Sequence, residues 1–351
     1  MYSEQEMKSQ PFSDGLDANI FTLTNKQGSS ITVMDIGATW LSCKIQMQGE
    51  LREVLLGVDS MDKHLKQQVY LGATVGRYAN RIKGGQFDVN GQTFHTSINQ
   101  LNNTLHGGIK GFDKCRWQVV KQEQNKISFS LLSKNGDQGF PGNLSVEVSY
   151  HFNDQNEVSI EYIANTDKTC PVNLTNHAYF NLLGAEKGQD CLSHLLRIEA
   201  DRYVPNDMQG IPLGNFPSVQ NSSFDFLQEK AIKQDFLSDL QQKNQSGYDH
   251  SFLINDDYQD AQKVMLALTA PDRSLQLNVS TNKPALHLYT GNFLQGTPGR
   301  GSENYGCNAG VALETQYLPD APNNLHWPQP SPYLQPLQTY QSITRYCFCV
   351  L

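Results

Sequence analysis

The sequence predicts an all-β fold, a large antiparallel β-sandwich that takes residues 1–351 as one domain, and three observations lead there. Leu144, Val146, Val148, Tyr150 and Phe152 alternate with Ser145, Glu147, Ser149 and His151, the period of two of a strand with one buried face. The turn-forming Asn153-Asp154-Gln155-Asn156 leads directly into a second alternating run, Val158, Ile160, Tyr162 and Ala164, so the two runs read as an antiparallel hairpin. Strand-like runs recur at 127–132, 264–268, 275–279 and 286–289, the last three separated by Ala-Pro-Asp and Asn-Lys-Pro turns. Only 229–242 has room for a helix, and neither a repeat nor a polar linker divides the chain. The C-terminal Cys347-Phe348-Cys349-Val350-Leu351 reads as a final strand rather than a lipidation signal, because Cys349 lies one residue too near the end.

A length of 351 residues would suit two or three average domains, but all-β sandwiches often run this long as single units. Hydrophobic residues make up 38 % and aromatics 10 %, enough for a sizeable core. The net charge of −8, with no run of like charges, excludes nucleic acid and an anionic membrane surface as expected partners. The seven cysteines lack the paired C-x-x-C spacing of a metal knuckle and are odd in number, which points to free thiols in a reducing cytoplasm. The first fifteen residues carry no apolar secretory stretch, and no run of 18 apolar residues follows.

Long polar, Gly-rich segments lie between the strands at 72–112, 173–184, 201–217 and 291–310, where a β scaffold usually carries its function. Residue by residue, each candidate has a structural reading as well. His106 could be a turn histidine, Asp249 a turn cap, and Glu314, in the apolar stretch Val311-Ala312-Leu313, a paired structural carboxylate. Arg77 reads as a loop anchor and Arg81 as a ligand-binding cation. His250 reads as a packing residue, since no metal-binding spacing surrounds it. The segment 296–301 lacks the Lys-Ser/Thr of a phosphate loop and reads as a flexible border to a pocket.

The blocks G-A-T-V-G-R-Y-A-N-R-I (72–82), L-H-G-G (105–108), D-Q-G-F-P-G-N-L (137–144), N-L-T-N-H-A-Y-F-N-L (173–182), Y-D-H (248–250), Y-T-G-N-F-L (289–294) and A-L-E-T-Q-Y-L-P-D-A-P-N (312–323) resemble, in order and across most of the chain, those of the galactose mutarotase (aldose 1-epimerase) family. The resemblance implies the sandwich of that family and the interconversion of the α and β anomers of a free hexose, galactose or glucose, with neither cofactor nor metal. It further implies that Glu314 is the general base that takes the anomeric hydroxyl proton and that His177 is the general acid that protonates the ring oxygen. Asn80, Arg81, His106 and Asp249 match residues that bind sugar hydroxyls or steady the reacting oxygens, and Tyr179 lines the site. The chemistry agrees: ring opening moves two protons in concert, and Glu (ordinarily about 4.3) and His (about 6.5) straddle the needed range. A nearby carboxylate is expected to raise the pKa of His177.

One departure concerns specificity. Where the family commonly has Gln ahead of Y-T-G-N, as a sugar contact, this chain has His287 and Leu288. The change bears on fine sugar preference rather than on the reaction, and because an imidazole keeps a donor or an acceptor, sugar binding is expected to survive it. Two other functions remain in view: a hexose-6-phosphate 1-epimerase, which would need additional basic residues around a phosphate, and a non-catalytic sugar-binding module, which would be expected to lack the acid or the base.

Overall fold

The structure, a computed structural model, describes residues 7–351. Its largest sheet has nine antiparallel strands, and the expected hairpin lies near one end of it. Leu144–Phe152 pairs with Glu157–Thr166 in unbroken register from Leu144 opposite Thr166 to Phe152 opposite Val158. The Asn153 side chain closes the turn by accepting from the amides of Gln155 and Glu157, and Asn156 takes a positive φ of 58°, both habits of turn asparagines. The final strand, Tyr340–Val350, sits at the centre of this sheet between Glu157–Thr166 and Leu275–Thr281. The C-terminal cysteines therefore belong to a strand, as expected.

A second sheet of five strands carries three of the residues singled out from the sequence, Tyr179, Asp249 and Glu314. Its order is Tyr179–Phe180, Val311–Gln316, Ala285–Tyr289, Asp249–Leu253 and Arg202–Val204. Alternation sorts each strand by chemistry. Leu313, Leu286, Leu288 and Phe252 join the main hydrophobic core with Tyr346 and Phe348 of the nine-stranded sheet. The residues between them, Glu314, His287, Asp249 and Ser251, share the opposite face. Phe180 closes the junction, its ring 5.4 Å from that of Tyr346 and 6.0 Å from that of Trp40.

Trp40 belongs to a four-stranded sheet, Ile20–Thr24, Ser30–Met34, Thr39–Gln46 and Leu51–Glu53, that the sequence reading does not anticipate. Every residue of Thr39–Cys43 is buried, so no polar face alternates with the apolar one and the period-two signal is lost. The helix expected at 229–242 is a correction. Lys230–Ala231 pairs as a strand with Leu195 and Leu196, a 3₁₀ turn follows at Ile232–Asp235, and the α-helix is only Leu240–Asn244, begun by Asp239 accepting from the Gln242 amide. Strand pairing at Lys230–Ala231 overrides local helix preference. A six-residue helix at Met61–Lys66, capped by Ser60, was also not anticipated.

Arg77 is an anchor, as the sequence reading proposed. Its guanidinium is buried and donates from Nε to Ser133 Oγ, from Nη1 to the carbonyls of Pro141 and Gly142, and from Nη2 to those of Ser133 and Lys134. Lysine has three donors on one atom and cannot reach these diverging acceptors. Arg77→Lys is therefore predicted to lower the unfolding free energy by about 2 kcal/mol or more, read as a lower urea midpoint at unchanged slope. Activity per folded molecule should be retained.

Candidate active site

The polar face of the five-stranded sheet forms the floor of a pocket of about 190 Å³, smaller than the roughly 300–1,000 Å³ typical of sites for drug-sized ligands. All seven residues singled out from the sequence line it: Asn80, Arg81, His106, His177, Tyr179, Asp249 and Glu314. They come from five separate stretches of chain. Glu314 and Asp249 stand on strands; His177 follows the two-residue strand Thr175–Asn176, which pairs with Thr74–Val75. Asn80, Arg81 and His106 are brought in by the pairing of Arg81–Ile82 with Thr104–Leu105.

The loops that carry these groups are locked by side-chain and backbone bonds. Asn173 donates to the carbonyls of Ala79 and Tyr317 and accepts from the Tyr317 amide, which fixes the 77–81 loop to the chain just beyond Glu314. The L-H-G-G block has a steric explanation: a Cβ on Gly107, at φ +90°, would lie 1.9 Å from the Gly76 carbonyl oxygen, so only glycine permits the two loops to meet. Gly210 plays a similar part against Arg81, where a Cβ would sit 2.5 Å from Cζ.

His106 accepts the Asn80 amide hydrogen at Nδ1, 3.1 Å away, which leaves Nε2 as the N–H of the neutral ring. Burial, with the nearby His177 and Arg81, pushes its pKa well below the usual range. Arg81 donates from Nε to Gln100 at 2.8 Å and from Nη1 to Asn80 Oδ1 at 3.3 Å, and its Nη2 lies 3.8 Å from Asp249 Oδ2. Burial opposes ionisation of Asp249, but the 2.6 Å bond from His287 Nε2 and the charge of Arg81 prevail and hold the carboxyl well below the usual carboxylate range.

Glu314 behaves in the opposite way. Burial, together with the charge of Asp249 and only partly offset by Arg81, raises its pKa well above the usual value. Its Oε1 lies 3.4 Å from His177 Nε2. The expectation that this carboxylate raises the pKa of His177 is overturned: burial lowers it to about 4. The physical reason is reciprocal. A carboxyl itself driven toward the neutral form supplies no charge to hold an imidazolium, and both groups are almost fully enclosed. Glu314 Oε2 and His177 Nδ1 are buried without a hydrogen-bond partner among the described residues.

Several pocket residues have no role in the sequence reading, among them Gln68, Val69, Tyr70, Gln100 and Phe293, the last of which falls inside the 289–294 block. Tyr70, at φ 58°, places its ring 4.6 Å from His106 and 5.7 Å from His177, and it falls two residues outside the 72–82 block. Gln100, which orients Arg81, sits in an unpatterned polar loop. Phe293 is 62 % exposed at the pocket margin, an unusual position for a phenylalanine and visible only in three dimensions. The 296–301 segment, expected to border the pocket, is not among its lining residues. His106, His177 and Glu314 have ligand atoms within 4.8 Å of one another, and they are the residues here that could hold a metal ion.

The aldose 1-epimerase family profile matches residues 19–347. The chain belongs to the aldose 1-epimerase family. It is 50 % identical over 314 residues to the aldose 1-epimerase of Haemophilus influenzae, covering 90 % of this chain and 91 % of that one. It is 37 % identical to the galactose mutarotase of Bos taurus, covering 91 % of each. The crystal structure of an aldose epimerase homologue from C. elegans superposes with a TM-score of 0.86 at 31 % identity, over 95 % of this chain and 99 % of that one. As a member of this family the protein is an isomerase that interconverts hexose anomers. No helix among the described residues is long and apolar enough to cross a membrane.

The titration of Glu314 gives a stability prediction. Its folded pKa lies above the unfolded value of about 4.5, so its contribution to stability is complete below that value and is lost as pH rises through the folded pKa. Glu314→Gln, which stays neutral, is predicted to melt at a higher temperature than wild type at about pH 8, with the gap closing toward about pH 4. Thermal melts across that range check it.

Proposed function

We propose that the protein interconverts the α and β anomers of free galactose and glucose by acid/base ring opening and reclosure, with Glu314 as general base and His177 as general acid. The observation that carries this reading is the buried Glu314–His177 pair, 3.4 Å apart, in a pocket that also holds Asn80, Arg81, His106 and Asp249, partners for neutral hydroxyls. With the carboxyl favoured protonated and the imidazole neutral, the empty site holds one mobile proton between them. Hydroxyl donors from the sugar stabilise the carboxylate and move that proton to His177. Glu314 then takes the anomeric hydroxyl proton while His177 protonates the ring oxygen, the ring opens, and reclosure on the other face of the carbonyl reverses both transfers.

Asn80, Arg81, His106 and Asp249 bind the hydroxyls in this scheme. The His106 Nε2–H and Arg81 donate, and the ionised Asp249 accepts. Tyr179, its ring 4.9 Å from that of His177, walls the acid. A phosphorylated hexose is disfavoured, because Arg81 is the one Lys or Arg among the described pocket residues and is already bonded to Asn80 and Gln100. The retention of both acid and base favours an enzyme over a sugar-binding module. Free thiols at all seven cysteines support a cytoplasmic location.

Polarimetry on freshly dissolved α-D-galactose tests the reading. Wild type is expected to speed the drift to equilibrium, and folded Glu314→Gln and His177→Asn are each expected to lose about 10²–10⁴-fold in kcat. A wild-type protein no faster than buffer would leave the sugar-binding module as the better reading.

A further inference from the structure

His287 stands where a sugar-contacting amide is expected, yet both of its ring nitrogens are already engaged within the protein. Nε2 lies 2.6 Å from Asp249 Oδ1, and Nδ1 lies 2.9 Å from Ser251 Oγ. The bond to an ionised carboxylate requires a hydrogen on Nε2. Nδ1 is occupied by the serine hydroxyl whichever of the two donates, so the ring has no polar atom left to offer a ligand. The three groups are held by the sheet itself: Ser251, His287 and Glu314 stand opposite one another across three adjacent strands, and Asp249 lies two residues from Ser251 on the same face.

We propose that His287 and Ser251 form a positioning array for Asp249, in which the serine hydroxyl fixes the imidazole and the imidazole fixes one carboxylate oxygen, so that this enzyme reads its sugar through Asp249 Oδ2 rather than through residue 287. The inference rests on the sugar-binding site proposed above and names how that site is specified. Asp249 Oδ1 is taken by His287. Oδ2 is 3.8 Å from Arg81 Nη2, beyond hydrogen-bond reach, and is the oxygen available to accept from a hydroxyl. The backbone is pinned as well, by the Asn206 side chain donating to the Asp249 carbonyl at 2.9 Å and by the Asp249 amide donating to His250 Nδ1 at 3.1 Å.

A serine, a histidine and an aspartate in series also compose a hydrolase triad, but the arrangement here is unsuited to nucleophilic attack. Ser251 is buried and does not line the pocket, whereas Asp249 and His287 do. The order is inverted for that chemistry, with the carboxylate at the ligand and the hydroxyl behind. The array orients an acceptor.

Ser251→Ala is the informative variant because the side chain has no access to the sugar. The array predicts that it raises KM for galactose by about three- to tenfold with kcat changed less than about twofold, since one supporting hydrogen bond is lost while the acid/base pair is untouched. His287→Leu should raise KM by about tenfold or more, and the double variant should be no worse than His287→Leu alone, because the serine acts only through the ring. His287→Gln, which keeps one donor and one acceptor, should restore most of the affinity. Galactose titrations of the same proteins, each first shown to be folded by its thermal melt, give Kd ratios that do not depend on turnover. A wild type that binds galactose without accelerating mutarotation would defeat the catalytic reading and leave the array standing on its Kd ratios. An unchanged Kd and KM in Ser251→Ala beside a raised value in His287→Leu, or additive losses in the double variant, would overturn the array and return His287 to direct sugar contact.

Discussion

Two carboxylates occupy one buried face of the five-stranded sheet, and the way the fold separates their charges organises the site. Asp249 is surrounded by partners, with His287 at 2.6 Å and Arg81 at 3.8 Å, and it is held ionised. Glu314, two strands away, faces the neutral His177 at 3.4 Å and is held toward the neutral form by burial and partly by the charge of Asp249 itself. A permanent anion suits hydroxyl recognition, and a carboxyl close to changing state suits proton transfer. The same residue type thus has two characters because burial is paired with different neighbours.

The scaffold makes this arrangement durable. The apolar side of the sheet is fused to the nine-stranded sheet through Phe180, Tyr346 and Trp40, so the polar side is presented on a rigid floor. The loops above it are fixed by Asn173, Gly107 and the five-donor anchor of Arg77. Proton transfer within hydrogen-bond reach tolerates little positional error. That explains why so many polar groups with no access to the sugar are spent on loop placement.

Some of the molecule's positive-φ residues and unpartnered buried polar atoms lie at the site. Tyr70, Asn80 and His106 all have positive φ, and Glu314 Oε2 and His177 Nδ1 are buried without partners. Stability is thereby given up where chemistry needs reactive groups. In the proposed mechanism a glutamine at 314 would stay neutral in this buried environment but could not accept the anomeric proton.

Alternating Leu144–Phe152 and its partner strand were legible in the sequence because one face of each meets water, and the seven separated blocks were legible because each is a motif in its own right. The long strand Thr39–Gln46 of the four-stranded sheet was not, since burial on both faces over 39–43 erases the alternation, and the helix expected at 229–242 gave way to pairing with a strand some 35 residues earlier. The sequence by itself determined the fold class, the family and seven of the residues that line one pocket. Only the tertiary structure decided their electrostatic states: that burial drives His177 down rather than a carboxylate drawing it up, and that both nitrogens of His287 are turned to Asp249 and Ser251. Charge preference and hydrogen-bond saturation depend on which groups stand within a few ångströms, and no spacing along a chain records that.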